Sequence, residues 1–257
     1  MRFVSEARLR AANKADAHLL YKELALTYKI HKAYRAVICF MFVLPTLFGS
    51  VLASAESKGA GDTHLRLMIY GDSLSAGYGL GLGEAFPDQL AAGLVNAGYQ
   101  IDVINAGVSG DTTAGGRARL DWSLADKPDA LFLALGGNDM LRGLAPKDTR
   151  ANLDAMIQAL QAAEIPILLA GMAAPRNMGA DYVSEFDAIY PDLAAQYDIP
   201  LYPFFLDGVA LNPALNQPDG LHPNAEGVAV MVDRILPYVT RWIDTMPVSD
   251  GDKGGSQ

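Results

Sequence analysis

Leu65-Arg66-Leu67-Met68-Ile69-Tyr70-Gly71-Asp72-Ser73-Leu74-Ser75-Ala76-Gly77-Tyr78-Gly79 is the stretch on which the fold turns. An apolar run over 65–69 predicts a buried strand, and the glycine-rich turn behind it carries a serine. Glycine lets the backbone bend tightly and lets a ligand come close. A strand ending in such a turn can present a nucleophile, but a serine hydroxyl attacks poorly until a base takes its proton. The rest of the chain must therefore supply that base.

Downstream of this stretch, short apolar runs alternate with longer helical patterns. Strands are predicted over 65–71, 100–106, 130–136, 166–172 and 201–205, and several are continuously apolar, as parallel strands buried on both faces should be. Helices are predicted over 85–97, 113–124, 149–163, 182–197 and 225–244. The βαβα order implies a single parallel sheet with helices on both faces and right-handed crossovers. Ligands then gather at the carboxyl ends of the strands, where Ser73, 107–113, 136–139 and 219–222 all fall.

Upstream, residues 1–35 hold eight Lys or Arg against three acids and run into 36–52, a stretch of 17 residues without charge, followed by Ala53-Ser54-Ala55. A basic lead, apolar core and small-x-small site form a secretory signal, with cleavage expected after Ala55 and a periplasmic or secreted product. The opposing expectation is an uncleaved anchor, although 17 residues are short for a span and Pro45 interrupts it. An over-extended start site is a further alternative. The chain divides into this extension (1–55), a linker (56–64), an α/β domain (65–245) and a flexible Gly- and Asp-rich tail (246–257).

Without residues 1–55, 12 of the 20 basic and 26 of the 29 acidic residues remain, a net charge of −14. Such a surface repels nucleic acid and anionic lipid headgroups, so neither is an expected partner. Membrane contact is expected only through an uncleaved signal. The single cysteine, Cys39, lies in the signal, which leaves no disulfide, thiolate nucleophile or thiolate metal ligand beyond it.

Two histidines follow the signal. His64 stands in the linker and is expected to be solvated. His222 stands in Asp219-Gly220-Leu221-His222-Pro223-Asn224, where Asp219 can hold one ring nitrogen and leave the other free for the Ser73 proton. The same residues also suit a plain helix start. A zinc site would need several carboxylates beside one histidine, so no metal and no cofactor are expected. Donors for an oxyanion are available at the Ser73 N–H, the Gly110 N–H and the Asn138 side-chain amide, although Gly110 and Asn138 would equally suit simple turns.

Ser75 stands two residues after Ser73 where a nucleophile elbow has glycine, so the chain does not follow the α/β-hydrolase pattern. Four segments do occur in the order of the SGNH hydrolases, the GDSL esterases and lipases: 71–74, 105–112, 136–139 and 219–223. Within that superfamily the chain resembles the bacterial acyl-CoA thioesterase I, lysophospholipase L1 and arylesterase group, also through 141–143, 188–191 and 203–205. The resemblance covers roughly 65–242 and implies a three-layer α/β/α, flavodoxin-like fold on a five-stranded parallel sheet. It implies Ser73 as nucleophile, His222 as general base and then acid, Asp219 as its orienter, and Ser73, Gly110 and Asn138 as oxyanion donors. Small acyl esters, thioesters or lysophospholipids are the implied substrates, and a monomer is expected.

Met140, Leu141, Leu144, Met172, Pro175 and Met178 could line an acyl pocket or pack beneath loops. Asp72 and Asp139 are read as carboxylates bracing loops, while Arg142 is open between an acidic substrate group and a neighbouring acid. A carbohydrate O-acetylesterase would share the whole catalytic set. A flavodoxin-like binding module and a membrane-tethered protein are the non-enzymatic alternatives.

Overall fold

The computed structural model describes residues 64–246. The expected signal and its expected cleavage site lie outside that range, as do all of the expected linker but His64 and all of the expected tail but Met246.

Five parallel strands, β1 (Leu65–Gly71), β2 (Ile101–Gly107), β3 (Ala130–Ala134), β4 (Ile167–Ala170) and β5 (Leu201–Tyr202), form one sheet in the order β2-β1-β3-β4-β5. The expected sheet is present; β1 has the expected bounds, β2 is shifted by one residue, and β3, β4 and β5 are shorter. Gly136, at φ +117°, turns the chain out of the β3 line, and Pro203 has no N–H to extend β5.

Seven helices connect and flank the strands: α1 (Ser73–Ala76), α2 (Phe86–Asn96), α3 (Thr113–Ser123), α4 (Gly137–Leu141), α5 (Pro146–Ala162), α6 (Ala180–Tyr197) and α7 (Ala225–Asp244). Helix α5 starts three residues earlier than expected because Pro146 occupies its first position, where a missing N–H costs nothing. The one-turn helices α1 and α4 escape periodicity, being only four and five residues long.

Helix α2 packs on α7, while α3, α5 and α6 pack in series. In α7 the buried Val228, Met231, Val232, Ile235, Val239 and Trp242 recur at helical spacing and make one apolar stripe. Phe86 of α2, Phe132 of β3 and Phe205 meet with ring centroids 5.0–5.6 Å apart. All three are fully buried, each contributing about 1.5–3 kcal/mol relative to exposure. Order 2-1-3-4-5 places the topological switch between β1 and β3, so the crevice beyond their carboxyl ends is where a ligand belongs.

Candidate active site

Ser73 opens α1 immediately beyond β1. The cap is Asp72, whose Oδ1 accepts the Leu74 N–H at 3.0 Å. Gly107, at the end of neighbouring β2, is where α1 meets the sheet: a Cβ there would lie 2.2 Å from the Ala76 backbone nitrogen. Only glycine admits this approach, which seats the serine turn against the strand.

His222 reaches Ser73 from the loop before α7, with its Nε2 2.9 Å from Ser73 Oγ and its Nδ1 2.6 Å from Asp219 Oδ2. The other Asp219 oxygen accepts the backbone N–H groups of Leu221 and His222 at 2.9 and 3.0 Å. Those two donors and the imidazole pull the Asp219 carboxyl down to about 2, so it stays ionised and fixes an Nδ1–H tautomer. Gln217 anchors this loop, its amide donating to Tyr78 O at 2.7 Å and Pro223 O at 3.0 Å. The Tyr78 ring lies against the imidazole, centroids 4.7 Å apart. Sequence reasoning missed Gln217 and Tyr78 in these roles, because their contacts join loops about 140 residues apart.

The remaining expected groups come from the next two strand ends. Gly110, at φ +84°, occupies a left-handed turn after β2 with almost no atoms where a Cβ would stand. Neither its N–H nor that of Ser73 has an acceptor among the described residues. Arg142 donates to Gly110 O at 2.7 Å and so holds that turn; its protein partner is a carbonyl, not an acid. Asn138, in α4 after β3, donates from Nδ2 to Asp72 Oδ2 at 3.1 Å. One amide proton is thereby held by a carboxylate and the second is left for another acceptor.

Asp72 and Asp139 are braces, as expected. Asp139 is 1 % exposed and accepts from the Thr113 N–H at 2.8 Å, its hydroxyl at 2.5 Å and the Thr149 hydroxyl at 3.3 Å. Asp72 is 2 % exposed, and burial pushes its carboxyl up to about 6 against the pull of the Leu74 and Asn138 donors. Arg119 was not anticipated. It pairs with Asp111 at 2.6 Å, donates to Gly71 O at 2.9 Å and covers the Tyr70 ring at 4.0 Å, clamping the β1 end to the loop after β2.

Among the expected acyl-pocket residues, Leu141, Leu144 and Pro175 are exposed, and Met140 and Met178 are partly buried against the core. Met172 follows the packing alternative: it is 6 % exposed and packs beneath Gly137 as core. His64 is solvated and 3.1 Å from Asp102. Among the described residues no cluster of three or more His, Cys, Asp or Glu could hold a metal ion.

A serine in hydrogen-bonded sequence with an imidazole and an ionised carboxylate, beside open N–H donors at a switch point, defines a serine ester hydrolase. The chain belongs to the GDSL-like lipase/acylhydrolase family, which it matches over residues 69–230. It is 41 % identical over 207 residues to the Thioesterase 1/protease 1/lysophospholipase L1 of Escherichia coli, covering 79 % of this chain and 91 % of that protein. Esterase TesA of Pseudomonas aeruginosa is 40 % identical over 172 residues, 66 % of this chain and 86 % of the relative. The crystal structure of AlinE4, an SGNH-hydrolase family esterase, superposes with a TM-score of 0.60 at 48 % identity, covering 70 % of this chain and 96 % of that one.

Proposed function

We propose that the protein is an exported hydrolase of carboxylic esters and thioesters in which Ser73 is the nucleophile, His222 the general base and acid, and Asp219 the residue that orients His222. The observation that carries this is the continuous contact Ser73 Oγ to His222 Nε2 at 2.9 Å and His222 Nδ1 to Asp219 Oδ2 at 2.6 Å.

Neutral His222 accepts the Ser73 proton at Nε2 as Oγ bonds to the acyl carbon, and the carbonyl electron pair moves to oxygen. That oxyanion receives hydrogen bonds from the Ser73 and Gly110 N–H groups and the Asn138 amide. As the tetrahedral species collapses, the bond to the leaving oxygen or sulfur breaks and takes the Nε2 proton. Water then attacks the acyl-serine by the same route, returning the proton to Ser73. Ionised Asp219 stabilises the imidazolium formed twice in each turnover.

The relatives named for thioesterase, lysophospholipase and esterase activity support an acyl ester or thioester of an apolar acid as substrate. Exposed Leu141 and Leu144 beside Asn138 are the surfaces that would contact the acyl chain. The basic lead, apolar segment and Ala53-Ser54-Ala55 support export.

Ser73→Ala is expected to abolish hydrolysis of p-nitrophenyl esters and acyl-CoA together with labelling by a fluorophosphonate. Ser75→Ala should retain both activities. Full esterase activity in Ser73→Ala would overturn the assignment.

A further inference from the structure

Ten large hydrophobic side chains are exposed among the described residues, and their distribution is uneven. Seven lie on the segments that follow the carboxyl ends of the strands, the end from which Ser73 emerges: Leu141 at the end of α4 and Leu144 just beyond it after β3, Val108 after β2, Tyr78 and Leu82 after β1, and Leu211 and Leu221 before α7. The other three, Val95, Trp122 and Tyr238, lie in the later parts of α2, α3 and α7, which run away from that rim.

Leu82 and Leu211 are 106 % and 93 % exposed, so neither packs on anything within the described fold. Leu211 also holds φ +63°, a left-handed conformation that leucine disfavours. A strained backbone presenting an apolar side chain to water is explained by neither local conformation nor the core. Gln217 joins the two loops into one wall through Tyr78 O and Pro223 O.

The rim is also poor in free charge although the chain is acidic. Segments 72–85, 107–112, 135–145, 171–179 and 203–224 contain no lysine and two arginines, Arg142, which donates to the Gly110 carbonyl, and Arg176, which pairs with Asp187 at 2.7 Å. Of their carboxylates, Asp72 and Asp139 are buried, and Asp111, Asp207 and Asp219 are paired with Arg119, Arg234 and His222. Glu84, which accepts the Gly81 N–H at 2.7 Å, and Asp219 while His222 is neutral are the carboxylates of these segments without a cationic partner. An apolar, nearly uncharged collar around a reactive serine matches a neutral lipid surface, whereas an anionic one would be repelled by the rest of the molecule.

We propose that this collar is a docking face for zwitterionic phospholipid surfaces, with Leu82 and Leu211 inserting at the headgroup–acyl boundary and the Ser73 crevice opening onto the lipid. Reaction with an ester embedded in that surface rests on the ester-hydrolase reading, whereas the docking itself does not.

The test uses phosphatidylcholine vesicles and flotation. Ser73→Ala protein should float with the vesicles, equally in low salt and in 0.5 M NaCl. Adding Leu82→Ser and Leu211→Asn, the latter chosen because asparagine tolerates the left-handed turn, should lower partitioning roughly tenfold or more. Trp122→Ser should not change it. With Ser73 intact, the Leu82→Ser/Leu211→Asn enzyme should keep kcat/KM on water-soluble p-nitrophenyl acetate and lose roughly tenfold on lysophosphatidylcholine embedded in the vesicles. No flotation, or unchanged flotation of the double variant, would overturn the docking face. So would a dimer in sedimentation velocity that the double variant splits, since a second copy would then cover the collar. Loss of the ester-hydrolase reading alone would show as esterase activity surviving Ser73→Ala while flotation stays intact.

Discussion

Asp72 is the residue at which stability and catalysis pull apart. Burial raises its carboxyl from 3.8 to about 6, so ionising it opposes folding. The sign follows by linkage: the penalty is absent below the unfolded value near 3.8 and complete above about 6. Asp72→Asn keeps an oxygen for the Leu74 N–H and removes that penalty. The variant should melt higher than the wild type at pH 8, with the difference vanishing toward pH 4 in thermal melts. Its kcat should nevertheless fall by roughly ten- to a hundredfold, because an amide facing the Asn138 amide cannot hold it as the carboxylate does. Asn138→Ala should cost more, about 10²–10³ in kcat, since it removes a proposed oxyanion donor outright. Ser75, fully buried with no hydrogen-bond partner for its hydroxyl, behaves oppositely. Ser75→Ala should leave activity intact and stabilise by about 1 kcal/mol in urea unfolding, because it deletes an unpaired buried polar group.

At the scale of elements, the site depends on how closely α1 lies on β2. Gly107→Ala puts a methyl into the Ala76 backbone, which cannot swing aside as a side chain could. A destabilisation of about 1–3 kcal/mol is expected from chemical denaturation. A lowered kcat should accompany it, as α1 carries Ser73 away from His222. The long elements were legible because each has a period: five apolar runs and the 225–244 stripe all appear in the structure. α1 and α4 were not legible, since a single turn gives no periodicity and is set by what the neighbouring strand end admits. Arg119 illustrates the same limit. Its place in α3 follows from sequence, but its carbonyl partner on Gly71 and its aromatic partner Tyr70 are supplied by another strand.

For the whole molecule, the proposed export fixes where the mature chain should begin. If residues 1–55 are removed on export, the mature protein should begin at Glu56 by N-terminal sequencing, and an uncleaved chain would instead keep Met1. Stripping metal with a chelator should leave esterase activity unchanged, as the proposed mechanism uses only side-chain and backbone groups. Sequence alone determined the parallel α/β architecture, because hydrophobic period and connection order leave few ways to bury the strands. It also pointed to the candidate reactive residues, because four short motifs occur in the order of the SGNH hydrolases and only two histidines follow residue 55. Only the tertiary structure decided that Ser73 lies 2.9 Å from a histidine 149 residues away. It likewise decided that Asp72 holds Asn138, that Met172 is core, and that leucines beyond the strand ends stand exposed. These are facts of where separate strand ends converge, and no local pattern encodes the distance between them.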